Sequence, residues 1–109
     1  MKSFTLKTLP ISVNAMYRGR RFLTKEGKAT KTAMAWEIRS TGFSEPLSTP
    51  VALNLIFYVK NNRSDLDNLL KATLDSMTGL IYTDDSLITE LHVFKEIDKD
   101  NPRIEIQVL

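Results

Sequence analysis

Four aspartates and one lysine have the types and spacing of a metal-dependent active site. Asp65 and Asp67 stand one residue apart, Lys71 follows, and a second acidic pair, Asp84-Asp85, comes later. Two carboxylates held close together repel each other, and a divalent cation between them removes that penalty. Three carboxylates with a nearby lysine are a common arrangement for holding Mg²⁺ in phosphoryl chemistry. We therefore expect the two acidic groups to meet around one metal, with Lys71 stabilising charge on the phosphate.

The same residues also suit an ordinary helix start. Ser64 and Asp67 resemble a capping box, with Asp in place of the usual Glu. The helix dipole favours negative charge in the first turn, and Asp67 and Lys71 have the spacing of a favourable i,i+4 ion pair. Asp84-Asp85 equally suits a solvated turn. Spacing alone therefore leaves both interpretations open.

Composition limits the kind of site that the chain can form. It has 109 residues, 42% of them hydrophobic and 26% charged, which is typical of a soluble globular protein. The absence of cysteine and the single histidine exclude thiolate and His-rich metal sites, so oxygen ligands for Mg²⁺ or Mn²⁺ remain. No apolar run approaches the length of a membrane span and no Gly-rich nucleotide loop is present, so we expect neither a membrane partner nor a nucleotide cofactor. The lack of cysteine also suits a reducing cytoplasm.

Charge is divided unevenly along the chain. Residues 1–40 contain nine Lys or Arg against two Glu, whereas residues 41–109 contain six basic and eleven acidic residues. Within the basic part, cations alternate with aromatic side chains in a Gly-containing segment, a pattern that suits phosphate contacts with occasional base stacking. The predicted DNA-binding residues there are Tyr17, Arg18, Arg20, Arg21, Lys25, Lys28 and Lys31.

The hydrophobic pattern predicts one small domain over residues 1–109, of α/β (α+β) class, with a mixed sheet of about four strands and two main helices. The strongest strand signal is Val51 to Lys60, which is nearly apolar throughout and is therefore expected at the centre of the sheet. The last two strands are expected to form an antiparallel hairpin. We expect Trp36 in the core, on the apolar face of the first helix, and Thr24 as the N-cap of that helix. The other predicted elements are a strand at Ser3–Leu9, helices at Lys25–Thr41 and from Asp65 to Gly79, and strands at Leu87–Ile97 and Arg103–Leu109.

Taken together, the segment "RSDLDNLLKATLDSMTGLIYTDDSLITELHVFK" resembles the RusA family of Holliday junction resolvases, endonucleases common in prophages. It combines a "DLDNLxKAxxDxx" pattern, a short gap, and "DD" leading into a strand that ends in lysine. The opening "LPISVNAMYR" is also similar to the start of that family, and it adds Asn14 to the predicted DNA-binding residues. The resemblance implies that Asp65, Asp67 and Asp85 bind metal, that Lys71 is essential, and that Asp84 is a secondary candidate.

The resemblance also implies a function. A member of that family is expected to be a homodimer in the cytoplasm of a bacterial or phage-infected cell. There it would cleave four-way DNA junctions with Mg²⁺, or Mn²⁺ in its place, by paired symmetric nicks. The alternative is a non-catalytic DNA-binding module of phage or recombination origin, in which the carboxylates serve as helix caps.

Overall fold

The computed structural model describes residues 2–9, 17–18, 22–23, 25–42, 45–62 and 65–109, with backbone alone at 2, 17–18, 22–23 and 25–27. The predicted helix cap at Thr24 therefore lies outside the described residues. None of the described helices has the length and apolar character needed to cross a membrane.

In the described residues, six strands and two helices follow one another, with a 3₁₀ turn at Asp85–Leu87 between the second of these helices and the fifth strand. This composition of elements confirms the predicted α+β class with two main helices. The elements are β1 (Lys2–Leu6), β2 (Tyr17–Arg18), β3 (Phe22–Leu23), α1 (Lys25–Arg39), β4 (Val51–Val59), α2 (Leu66–Met77), β5 (Ile88–Ile97) and β6 (Arg103–Val108).

The main sheet has four strands in the order β1-β6-β4-β5, and β2 pairs separately with β3. The apolar strand β4 lies inside the sheet, as predicted. It pairs in parallel with β5 and antiparallel with β6. The prediction of a hairpin between the last two strands is wrong, because β5 and β6 lie on opposite sides of β4. β6 inserts between β4 and β1, and pairs antiparallel with both.

The core lies on one face of this sheet. Alternate residues of β4 are buried, which matches the two-residue period of a strand with one covered face. Leu53, Leu55 and Phe57 are fully buried in it, and Met34 and Ile38 of α1 join the same hydrophobic cluster. The prediction that Trp36 packs in the core is wrong, because its side chain is 65% exposed. Met34 and Ile38 lie on the opposite side of α1 from Trp36 and fill the space over the sheet.

The connection from β5 to β6 is held by polar contacts around Arg103. Its guanidinium donates to Asp98 Oδ2 at 2.9 Å and to Glu105 Oε2 at 3.0 Å. It also stacks 3.8 Å from the centre of the Tyr58 ring on β4. The hydrogen bond from Arg103 holds the pKa of the Asp98 carboxyl below its usual value of 3.8. These contacts keep the connection over the end of β4 rather than in a tight hairpin turn.

Asp98→Asn should lower stability in a pH-dependent way. A carboxyl with a lowered native pKa stabilises the folded state above its unfolded pKa, and this contribution is lost as the pH falls through the native pKa. We expect the variant to unfold at lower urea concentration than the wild type at pH 7, and the difference to disappear in strong acid. Asp100→Asn, which changes a neighbouring carboxylate without that ion pair, is the control. If the difference in stability between Asp98→Asn and the wild type persists unchanged into acid, the charge of Asp98 does not stabilise the folded state.

Candidate active site

Asp65 is the N-cap of α2. Its backbone is extended, and Oδ1 accepts a hydrogen bond from the Asp67 amide at 3.0 Å. Asn68 Nδ2 donates to the other oxygen at 3.4 Å. The predicted capping box from Ser64 is therefore wrong, because Asp65 itself caps the helix, and Ser64 lies outside the described residues. The cap fixes the direction of the Asp65 side chain relative to the first turn of α2.

Asp67 and Lys71 lie on the exposed surface of α2. The ion pair that their spacing predicts does not form, since the ion pairs among the described residues involve His92 and Arg103. Both charged groups are thus accessible from solvent at the start of the helix. A carboxylate that is not neutralised by a neighbouring cation is a suitable ligand for a hard divalent ion.

The second acidic pair lies just before β5. Asp84 caps the 3₁₀ turn in extended conformation, and its Oδ2 accepts a short hydrogen bond from the Ser86 hydroxyl. Asp85 is exposed, and no described residue donates a hydrogen bond to its carboxylate. Asp85 is therefore the member of the pair with both oxygens available to a ligand, while Asp84 is partly engaged.

The chain topology separates the two acidic groups. β4 ends at Val59, shortly before Asp65, and α2 then returns along the sheet to the start of β5, where Ile88 pairs with Val51. The 12 residues of α2 span about 18 Å, so Asp65 and Asp85 lie near opposite ends of the helix. Among the described residues, no three acidic or histidine side chains are grouped closely enough to hold a metal. The expectation that α2 brings the two groups together within one chain is therefore wrong.

Tyr82 fixes the segment that carries Asp85, and sequence reasoning missed it. Its ring is fully buried, and its hydroxyl donates to the Leu74 carbonyl of α2 at 2.9 Å. Burial raises the pKa of Tyr82 to about 12, and the negative charge of Asp85 contributes in the same direction. The apolar run in "GLIYT" is the only signal in the sequence that could have indicated a buried tyrosine there.

The phenol of Tyr82 should make stability fall at high pH. Below pH 10.0 the Tyr82 phenol is protonated in both the folded and the unfolded state. As the pH rises from 10.0 toward about 12, the unfolded state loses this proton first, so the free energy of unfolding decreases. Tyr82→Phe should cost about 1 kcal/mol at pH 7, because the Leu74 carbonyl loses a donor. The free energy of unfolding of the wild type should decrease more steeply than that of Tyr82→Phe above pH 10.0. Parallel pH curves for the two proteins would show that Tyr82 titrates normally.

A basic and aromatic stripe runs along the solvent face of α1. Lys28, Trp36 and Arg39 are all exposed, and their spacing puts them on one side of the helix. Lys31 is partly exposed nearby. Trp36 and Arg39 were not among the predicted DNA-binding residues, and their exposure on this stripe makes them further candidates. Of the predicted residues, Asn14, Arg20 and Arg21 lie outside the described residues, and only the backbone is described at Tyr17, Arg18 and Lys25.

A family model described as "Endodeoxyribonuclease RusA" matches residues 10–109. The chain belongs to the RusA family. Among curated proteins it is similar to "Crossover junction endodeoxyribonuclease RusA" of Escherichia coli O139:H28 and to the protein of that name from Enterobacteria phage 82. Each is 30% identical over 104 residues, covering 91% of this chain and 87% of the relative. The protein of that name from Escherichia coli strain K12 matches with the same identity and coverage.

Membership of this family makes the chain a nuclease and confirms the resemblance predicted from the acidic motifs. The match includes every residue assigned to the candidate site, from Asn14 to Asp85. The assignment of individual residues to metal binding and catalysis stays a prediction. The donor chemistry fits a hard divalent cation, because the candidate ligands are solvent-exposed carboxylates.

Proposed function

We propose that this protein resolves four-way DNA junctions by paired, Mg²⁺-dependent nicks. The observation that carries the proposal is the family match over residues 10–109, together with relatives named crossover junction endodeoxyribonucleases. The exposed carboxylates at the start of α2 support it, since they are accessible to both metal and phosphate. Such a protein works on DNA in the cytoplasm of a bacterial or phage-infected cell.

Asp65, Asp67 and Asp85 are the proposed ligands of the metal. When bound, Mg²⁺ would lower the pKa of a water molecule and offset negative charge on the scissile phosphate. The role of Lys71 is to stabilise that phosphate charge through its exposed ammonium group, which lies one helical turn after Asp67. The Asp65 cap holds the first two carboxylates in a fixed relation at the start of α2. Mn²⁺, with similar ligand preference, should substitute.

A homodimer explains how such a site could be complete. Within one chain the two acidic groups are separated by the length of α2, so three carboxylates do not converge. Two copies related by a two-fold axis can place their α2 helices antiparallel, so that Asp65 and Asp67 of one face Asp85 of the other. Such a dimer has two identical sites, and resolution of a junction with approximate two-fold symmetry needs two nicks.

The basic residues of the first part of the chain and the α1 stripe are proposed to bind the DNA backbone. Contacts to several phosphates release counterions, so the affinity for the junction should fall steeply as salt rises. Trp36 adds an exposed aromatic surface on which an unstacked base at the junction centre can rest.

Cleavage of a synthetic four-way junction, compared with a linear duplex containing the same sequence, tests the proposal. Each substrate is incubated with purified protein with and without Mg²⁺, and in parallel with Mn²⁺. We expect paired nicks in the junction only, and only with metal. A protein that binds the junction but never nicks it in either metal would contradict the enzyme assignment. That result would favour the alternative, a non-catalytic DNA-binding module, which the separation of the carboxylates within one chain also suits.

Trp36→Ala should weaken junction binding without unfolding the protein. Loss of one stacked base costs about 1–3 kcal/mol, so the Kd should rise between about fivefold and about 150-fold. The side chain is 65% exposed, so the thermal midpoint should change little. Fluorescence anisotropy with a labelled junction measures the Kd. Thr32→Ala, at an exposed position one turn earlier on the same face of α1, controls for loss of a side chain without an aromatic ring. If Trp36→Ala binds the junction as tightly as the wild type, Trp36 is not part of the interface.

A further inference from the structure

Lys95 is a charged residue on the covered face of the main sheet, the face on which the core lies. The residues of β5 that pair with buried residues of β4 share that face, and they are Leu91, Val93, Lys95 and Ile97. The other three are apolar, whereas Lys95 pairs with the fully buried Phe57 and is itself only partly exposed. Burial of an ammonium group is unfavourable, so this position favours a side chain that reaches solvent or an anion.

The path to solvent for the Lys95 ammonium lies at the outer edge of the sheet. β5 is an edge strand of the described sheet, and Ile97 on its covered face is 55% exposed, so the helices leave this margin open. The stem of a lysine packs along an apolar surface while its ammonium extends into water. Leu70 and Leu74 of α2 pack against the same core as Val93, so the ammonium emerges beside α2.

Asp67 lies on the side of α2 that faces this edge. The opposite side of the helix is identified by Ser76, whose hydroxyl contacts the Met34 sulfur of α1 at 3.7 Å. Asp67 precedes Ser76 by about two and a half helical turns, so the two side chains project in opposite directions. Because α1 packs over β1, at the far side of the sheet from β5, Asp67 projects toward the β5 side.

The first turn of α2 lies at about the level of Lys95 along the sheet. The helix ends beside the start of β4, since its C-cap Thr78 bridges to Tyr82, which also bridges to the segment just before β4. From that end α2 extends about 18 Å to its first turn. At about 3.3 Å per strand residue, the same distance along β4 leads from Val51 to the neighbourhood of Phe57, the partner of Lys95.

We propose that the Lys95 ammonium contacts the scissile phosphate of DNA bound at the start of α2. The inference rests on the proposed function and adds a catalytic residue to it. Asp65 and Asp67 mark the place of the reaction, Lys71 approaches it from the helix, and Lys95 approaches it from the sheet. Two cations on different sides of one phosphate both stabilise the negative charge that develops during its cleavage.

The formal charge of the proposed site supports a second cation. Three carboxylates, one divalent metal and one phosphodiester together carry a charge of about −2, of which Lys71 offsets only half. Uncompensated charge is costly in a site from which bound DNA displaces water. Lys95 supplies the missing positive charge, and it is the only Lys or Arg in the described strands β4 and β5.

Lys95→Met tests the contact. Methionine keeps the apolar stem but lacks the charge, so the thermal midpoint should be unchanged or raised. Single-turnover cleavage of the junction should slow about a hundredfold, the typical effect of losing one group that stabilises charge in the transition state. The Kd for the junction should change far less, because the other phosphates are bound elsewhere. Lys99→Met, at an exposed position beyond the end of β5, is the matched control and should cleave at the wild-type rate.

The absence of cysteine from the natural chain allows the charge to be restored chemically. In Lys95→Cys the single thiolate displaces bromide from bromoethylamine, and the new side chain has nearly the length of lysine and ends in an ammonium. Iodoacetamide instead gives a neutral side chain of similar size. Both reactions are carried out in denaturant, so that the thiol is accessible, and the protein is then refolded. The aminoethylated protein should recover most of the lost rate, and the neutral adduct should not.

Protection of lysines from acetylation measures the contact without cleavage. The wild type is treated briefly with acetic anhydride in Ca²⁺, which prefers the same oxygen ligands, both free and bound to the junction. Mass spectrometry then gives the modified fraction of each lysine. The junction should protect Lys95 and leave Lys99 as reactive as in the free protein.

Several results would overturn the inference. They are cleavage by Lys95→Met at the wild-type rate, a loss confined to the Kd, equal recovery by the two alkylated proteins, or no protection of Lys95 by the junction. The proposed function fails separately. A wild type whose Lys95 is protected by the junction, but which never nicks it, would refute the proposed function and leave the phosphate contact standing.

Discussion

Replacing Asp65 or Asp67 with Asn should lower the rate of junction cleavage at least about a hundredfold and leave the affinity for the junction intact. Removal of a group that stabilises charge in the transition state typically lowers the rate by this much. The carboxamide keeps the shape of the side chain but loses the charge that a metal ligand supplies. Asn is as good an N-cap as Asp, so Asp65→Asn should retain the hydrogen bond to the Asp67 amide and with it the start of α2.

The matched control for this experiment is Asp75→Asn. Asp75 is an exposed carboxylate on the same helix but is not part of the candidate site. Single-turnover cleavage of a labelled junction gives the rate, and anisotropy in the absence of metal gives the affinity. If Asp65→Asn cleaves as fast as Asp75→Asn, the acidic group at the start of α2 is only a helix cap.

A mixture of Asp65→Asn and Asp85→Asn chains should recover activity that neither variant has alone. If each site takes Asp65 from one chain and Asp85 from the other, the mixed dimer contains one doubly altered site and one intact site. With random exchange of subunits, about half of the dimers are mixed, so about a quarter of the sites are intact. The mixture should therefore nick one strand of a junction, with few paired cuts.

The control mixture combines Asp65→Asn with Asp67→Asn. These two residues belong to the same end of α2, so every site in the mixed dimer contains one altered ligand and the mixture should stay inactive. Refolding the chains together ensures exchange. Failure of the first mixture to exceed the control would place all three carboxylates in one chain and contradict the shared site.

The fold class follows from local patterns, and the strand order does not. The continuous apolar character of β4 predicts an interior strand, and the structure confirms it. The turn-forming sequence around Asp98 predicts a hairpin, yet β5 and β6 lie on opposite sides of β4. Turn chemistry specifies where the chain bends, whereas the choice of neighbour depends on which partner buries the most apolar surface. β6 buries Ile104 and Ile106 by inserting between β1 and β4, and this non-local gain is not visible in the turn itself.

The sequence nominates members of the candidate site but does not predict how they are arranged. Residue types and spacing selected the aspartates and Lys71, and the family match covers all of them. Whether Asp65 and Asp85 meet depends on the direction in which α2 crosses the sheet, and this requires the parallel pairing of β5 with β4. The helical spacing of apolar residues also assigned Trp36 to the core. This pattern shows which residues are apolar, but it does not show whether the sheet has room to cover each of them. Met34 and Ile38 fill that room.

The position of β6 has a consequence for how the molecule folds. In the described sheet β1 pairs only with β6, so the earliest of these four strands finds its partner only when the latest of them has been synthesised. Contacts of such long sequence separation slow folding, because a large loop must close before they form. Until β6 inserts, β4 also exposes the side on which β6 will pair. From the completion of β4 until β6 is made, the nascent chain therefore carries an apolar strand that lacks one of its two neighbours, and this interval exposes it to aggregation.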